Sequence, residues 1–195
     1  MLKPETLNPR PSIFLAILGG WVGMLLLSAL LYLAPALGFP LIDIPRLIGG
    51  IFSTNADIAL WLGFALFFLT GVLLFSPALA YFWMDLPGRN VGFLGAILKG
   101  LVWSLILWVV LGLLLPVIGF LNRLPGMENP GLFALNLGIM AALWLLLCHL
   151  AFGLALALVT AMAQGIEPID TLGWMGHKHG DLVEYILERE GRNVP

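Results

Sequence analysis

Four stretches of this chain are each long and apolar enough to cross a lipid bilayer as a helix. A hydrocarbon core of about 30 Å takes roughly 20 apolar residues in helical form. The stretches run over about 13–33, 58–84, 91–120 and 132–163, and their only charged residue is Lys99, near the start of the third. In lipid every backbone polar group needs an internal partner, so apolar spans of this length are helices. The last three exceed the minimum, which predicts tilt or protrusion past the lipid. The fold class is all-α: a polytopic membrane four-helix bundle over residues 1–163, followed by a cytoplasmic tail over 164–195.

Composition agrees and excludes several functions. The 195 residues are 61% hydrophobic and 10% charged, where a soluble domain carries about 25% charged. A mean hydropathy of +1.02 excludes an ordinary soluble enzyme. Nine Lys and Arg spread along the chain cannot build a basic groove, so no nucleic-acid partner is expected. A single cysteine, Cys148, excludes an internal disulfide framework and any multi-cysteine metal site. The first apolar stretch is longer than the core of a cleavable signal peptide, and it reads as a retained first span.

Basic residues set the expected orientation. Lys3, Arg10, Arg89, Lys99, Lys178, Arg189 and Arg192 fall on the side of the termini, against Arg46 and Arg123 on the other. Both termini are therefore expected in the cytoplasm, with the protein in the cell inner membrane and lipids as its surroundings. Lys99 is expected to snorkel to the inner surface. Tyr32 and Trp61 are expected at the outer interface, and Tyr81, Trp83 and Trp103 at the inner one.

Between the spans the signals are local. Asn55 or Thr54 caps the second span, with Asp57 favourable in its first turn. Pro77 predicts a kink there, with a carbonyl freed near Leu73 and Ser76 placed to satisfy backbone groups. The segment 39–52 is too short to span and too apolar to float in water, which suits a short outer interfacial or re-entrant piece. Within it, Asp43 and Arg46 are three apart and able to pair. Small residues recur every four positions: Gly19 and Gly23; Ala134, Gly138 and Ala142; Gly153, Ala157 and Ala161. Such faces let membrane helices approach closely, within the chain or toward a partner. A faint repeat at an offset of 81, matching Gly19 to Gly100, is consistent with two parallel two-helix repeats. The tail holds six of the eleven acidic residues, and 181–190 reads as a short helix.

Few residues can carry chemistry. His149 lies near the middle of the fourth span, where an ionisable side chain is costly and faces the bundle interior or a cavity. Its possible roles are a hydrogen bond across helices, proton or substrate handling, or ligation of a haem, which would need a second ligand from elsewhere. Cys148 points about 100° away from it, so the two are not a nucleophile and base. His177 and His179 form an i, i+2 pair in the tail, weak as a metal site without further ligands. No nucleophile elbow, P-loop or zinc-protease motif is present, so no catalytic residue is named and no cofactor is predicted.

The Asp-Ile within 41–50, the Leu86-Pro87-Gly88 turn and the run Cys148-His149-Leu150-Ala151-Phe152-Gly153 resemble an uncharacterised family of small four-helix prokaryotic integral membrane proteins. Some members of that family are encoded beside respiratory oxidase genes. A His-Leu-x-x-Gly element occurs there in the fourth helix and sometimes also in the second. This chain keeps the fourth-helix element as His149 and Gly153, but the matching second-helix position is Phe67, which removes the paired histidine. The resemblance implies the fold more than an activity. Taken together, the expected function is an accessory or scaffold subunit of a larger membrane complex of respiratory type, with no catalysis of its own. Its partners would be membrane subunits or further copies of the chain. The alternative is a small transporter or channel using His149 as its polar mid-membrane site.

Overall fold

The computed structural model describes residues 11–88 and 93–162. The expected tail helix and the His177–His179 pair lie outside the described residues. Helix α1 spans Ile13–Leu33 and continues through a tight 3-10 turn, Ala34–Leu37, to Gly38, whose φ of 81° suits glycine. A short helix α2, Ile44–Gly49, precedes α3, Ala56–Thr70. A π-helical turn, Gly71–Phe75, joins α3 to α4, Ser76–Phe82. Helix α5 covers Phe93–Leu121, and α6 covers Ile139–Met162. Taken with their flanking turns, α1, α3 to α4, α5 and α6 give four helices long and apolar enough to cross a membrane.

Helix α6 is the axis of the bundle. It packs along its length on α1 and on α5, and α4 packs on a neighbouring face of α1, where Gly20 meets Ser76. Glycines make these contacts close. A Cβ at Gly19 would lie 2.6 Å from the Leu156 carbonyl oxygen, and one at Gly23 would lie 2.9 Å from the Phe152 ring. On the other flank, a Cβ at Gly100 would lie 2.5 Å from the Gly153 carbonyl oxygen and 2.8 Å from the Ala157 Cβ. Close approach of this kind lets dispersion hold helices together where lipid supplies little hydrophobic drive. Cys148, Phe152, Leu156 and Ala157 lie fully buried along this axis.

The kink in the second span comes with a π-turn. The backbone N–H of Ser76 bonds the Gly71 carbonyl, and the Ser76 hydroxyl donates to that same oxygen at 2.7 Å. The carbonyl that Ser76 satisfies is thus Gly71, two residues before the expected Leu73. Extra residues in a helical turn accommodate a following proline that lacks its own N–H.

The fourth span starts later than its apolar pattern suggests. Over Leu132–Leu137 the chain forms 3-10 turns, with Phe133 and Ala134 at φ of 51° and 64° and Gly131 and Gly138 at φ of 71° and 101°. Asn129 and Asn136 hold this bend, Asn136 Nδ2 donating to the Asn129 carbonyl at 3.1 Å and the Gly131 N–H donating to Asn129 Oδ1 at 2.9 Å. Its apolar side chains pack on α5, where Phe133 lies against Gly112 and the Trp108 ring, so the segment is apolar without being part of the span. Gly138 therefore sits at the break with open space beside it, and is not part of a helix-packing face.

Candidate functional site

At one end of the bundle, α2 closes the space between α3 and α5. Asp43 caps it, its carboxylate accepting the Arg46 N–H at 3.1 Å and pairing with the Arg46 guanidinium at 2.9 Å. Tyr32 donates its hydroxyl to the same carboxylate at 3.3 Å. Helix α2 lies backbone to backbone on α3, with Gly49 against Ala59 and Gly63 against Pro45. From α5, Asn122 Nδ2 donates to the Leu47 carbonyl at 2.7 Å and the Arg46 carbonyl at 3.2 Å. The apolar 39–52 segment thus contains a packed plug helix, and Asn122, which no sequence motif marks, ties it down. Asn55 caps α3, its Oδ1 accepting the N–H groups of Asp57 and Ile58 at 3.0 and 3.1 Å.

At the other end Lys99 departs from expectation. It is fully buried, and Nζ donates to the carbonyls of Trp83 at 2.6 Å and Leu86 at 2.7 Å while lying 5.4 Å from the centre of the Trp83 ring. These carbonyls belong to the chain just leaving α4, where orphan acceptors and the negative end of the helix dipole attract a cation. Lys99 does not snorkel outward because its partners lie inside. Trp83 and Trp103 are buried with it, so they belong to the packing and not to an interfacial belt, whereas Trp61 and Tyr81 are exposed.

Between these ends lies a cavity of about 120 Å³, bounded by α1, α2, the α3 π-turn region, α5 and α6. It exists because α3 and α5 make at most marginal contact: α2 separates them at one end, and the kinked span leans on α1. Leu66 and Thr70 from α3 and Leu111 from α5 line the cavity on either side of this gap, and the cavity is partly open. Its lining is almost wholly apolar.

His149 reaches this cavity from α6, where it is the eleventh of 24 residues. Its Nδ1 lies 2.8 Å from the Leu145 carbonyl oxygen. A carbonyl only accepts, so Nδ1 carries the proton and, in the neutral ring, Nε2 is left with its lone pair. Among the described residues Nε2 has no hydrogen-bond partner. Thr70, the other polar side chain in the lining, donates its hydroxyl to the Leu66 carbonyl at 2.7 Å. Phe67 lines the same cavity. The second-helix position where the resemblance would put another histidine thus faces the same cavity as His149, and it carries a phenyl ring. A void this size is on the scale of the engineered cavity of about 150 Å³ that admits a benzene. It does not hold a porphyrin, so the site does not fit haem. Cys148, fully buried on another side of α6, does not line it.

Two further buried hydroxyls are turned to the chain's own backbone. Ser104 donates to the Gly100 and Leu101 carbonyls and Thr160 to the Leu156 carbonyl. The indole N–H groups of Trp83, Trp103 and Trp108 and the Ser28 hydroxyl are buried without a hydrogen-bond partner among the described residues, and none of these residues lines the cavity. Among the described residues no three His, Cys, Asp or Glu side chains come together as a metal site.

These features define a class: a polytopic, all-helical membrane protein with an intramembrane cavity and no assembled set of catalytic side chains among the described residues. The chain belongs to the DUF6789 family, a family of unknown function, which it matches over residues 11–171. No curated protein and no solved structure matched it.

Proposed function

We propose that this protein is a non-catalytic accessory or scaffold subunit of a larger membrane assembly of respiratory type. The observation that supports the reading is the fate of its polar side chains. Ser76, Lys99, Ser104 and Thr160 are bonded to backbone carbonyls of the same chain, and Asp43 and Arg46 to each other. A pathway for a polar solute needs convergent, available polar groups, and a catalytic site needs several in mutual reach. Large apolar faces on the second and third spans stay uncovered, with Trp61 and Phe120 among the most exposed, and suit lipid, partner subunits or further copies of the chain. The protein sits in the inner membrane with both termini cytoplasmic. Setting the buried Lys99 aside, basic residues still divide six to two in favour of that orientation.

Purification in a mild detergent, with mass spectrometry of partners and a visible spectrum on the same sample, tests this reading. Larger respiratory subunits at fixed stoichiometry are expected, and a stable, partner-free monomer overturns it. The second reading, a small transporter or channel, is favoured by the cavity that reaches His149. Loss of proteoliposome flux on His149→Ala would support it, and unchanged flux would remove it.

A further inference from the structure

We propose that the cavity at His149 binds the hydroxylated aromatic ring of a membrane-dissolved molecule, of the phenol or hydroquinone class, whose hydroxyl donates to His149 Nε2. Three observations carry this. The volume, about 120 Å³, is that of a single ring, by comparison with the engineered cavity of about 150 Å³ that stays dry and takes up benzene. The two polar side chains in the lining are both committed as donors elsewhere: His149 Nδ1 to Leu145 and Thr70 to Leu66. With those protons committed, both side chains have only lone pairs left to offer a ligand, so the site selects one that brings its own hydrogen. Helices α3 and α5, which both line the cavity, make at most marginal contact at the depth of the spans, so a ligand from the bilayer has a route between them.

The same arrangement excludes other classes. No Lys or Arg side chain lines the cavity, so a carboxylate or phosphate would enter without a permanent counter-charge. An acceptor-only ring, such as the oxidised quinone form, finds no donor among the lining side chains. His149 is 6% exposed and Nε2 has no hydrogen-bond partner among the described residues, so a donor hydroxyl would supply a bond that the chain does not. The prediction is therefore selection by hydrogen-bond polarity on an otherwise apolar surface.

The test uses the full chain in nanodiscs and two probes of one shape, phenol and toluene, compared at equal membrane-phase concentration. Phenol is expected to saturate a single site, to shift the His149 ring nitrogen resonances, and to bind about fivefold more tightly than toluene, the factor for a typical net hydrogen bond. His149→Leu is expected to erase that preference. Leu111→Trp, which keeps His149 and fills the mouth, is expected to abolish binding of both probes, and it carries the test if His149→Leu fails to fold. A hydroquinone with a decyl tail is expected to displace phenol; failure to do so overturns entry from the bilayer. Equal binding of phenol and toluene by the unaltered protein, or a phenol shift that survives Leu111→Trp, overturns the site itself. None of these outcomes depends on whether partner subunits co-purify.

Discussion

The two flanks of α6 and the gap between α3 and α5 are built from the same kinds of apolar residue and pack in opposite ways. Along α6, Gly19 and Gly23 from one neighbour and Gly100 from the other bring backbones so close that a single added carbon has no room. Between α3 and α5 the facing residues are Leu66, Phe67, Leu111 and Leu115, which meet across a void. In lipid, burying an apolar side chain against another gains little over leaving it among acyl chains, so contact must come from shape. Glycines give the α6 seam that shape. The bulky faces of α3 and α5, kept apart by α2, leave space. The difference places rigidity on one side of the bundle and room for a ligand on the other.

The seam is where the largest effect is expected. In Gly153→Val the first added carbon falls against the Gly100 carbonyl and 2.6 Å from Ser104 Cβ, and the valine branches add to it. Helices α5 and α6 would have to separate, and a loss of at least about 3 kcal/mol is expected, in the range for severe overpacking of a core. Loss of monodisperse protein in detergent, or a collapse of thermal stability, checks it. A normally stable Gly153→Val would show that the close approach is dispensable.

Lys99→Met comes next. The methionine keeps the length of the side chain and removes the donor, leaving two buried carbonyls at the end of α4 without it. Charge-assisted hydrogen bonds contribute roughly 1.5–3 kcal/mol each, partly offset by no longer burying the cation. A net loss of about 2 kcal/mol is expected in denaturant titration of the detergent-solubilised protein. A neutral or stabilising result would mean that burying the cation costs as much as its bonds return. Asn122→Ala should act more weakly, at about 1 kcal/mol, by releasing α2 from α5. Faster hydrogen exchange confined to 44–50 would identify the released element, while exchange spread over the whole bundle would contradict a local role.

The four spans, the Asn55 cap and the apolar plug segment were legible because each depends on neighbours along the chain. His149 was legible too, as the lone ionisable group deep in an apolar run. The bend at 132–138 was not, because an apolar run has the same appearance whether it crosses lipid as a helix or packs on a neighbour in 3-10 turns. The left-handed φ of Phe133 and Ala134 has no signature in residue type, though the two glycines and two asparagines around them were visible clues. Lys99 misled for another reason. Its distance from the end of the span fitted snorkelling, but its partners are carbonyls that only the tertiary fold brings beside it. Asn122 is read correctly only once α2 is in place. The cavity is further removed still, since it arises from what α3 and α5 fail to touch, and no local pattern encodes a missing contact.

Adding carbon to the gap should have the smallest effect, and it sharpens the contrast most. Leu111→Phe enlarges a side chain that lines the cavity, where the facing atoms belong to side chains rather than backbone and the neighbouring space is empty. New dispersion contacts replace void, and the substitution is expected to change stability by less than about 1 kcal/mol in either direction. The carbon added equals that in Gly153→Val, yet the cost should be several-fold smaller. The same thermal or denaturant measurement on both variants decides the matter. Comparable losses would mean that α3 and α5 close on one another in the membrane and that the void is not a standing feature of the fold. A large loss in the seam variant alone would leave the gap as the part of the bundle that tolerates an occupant.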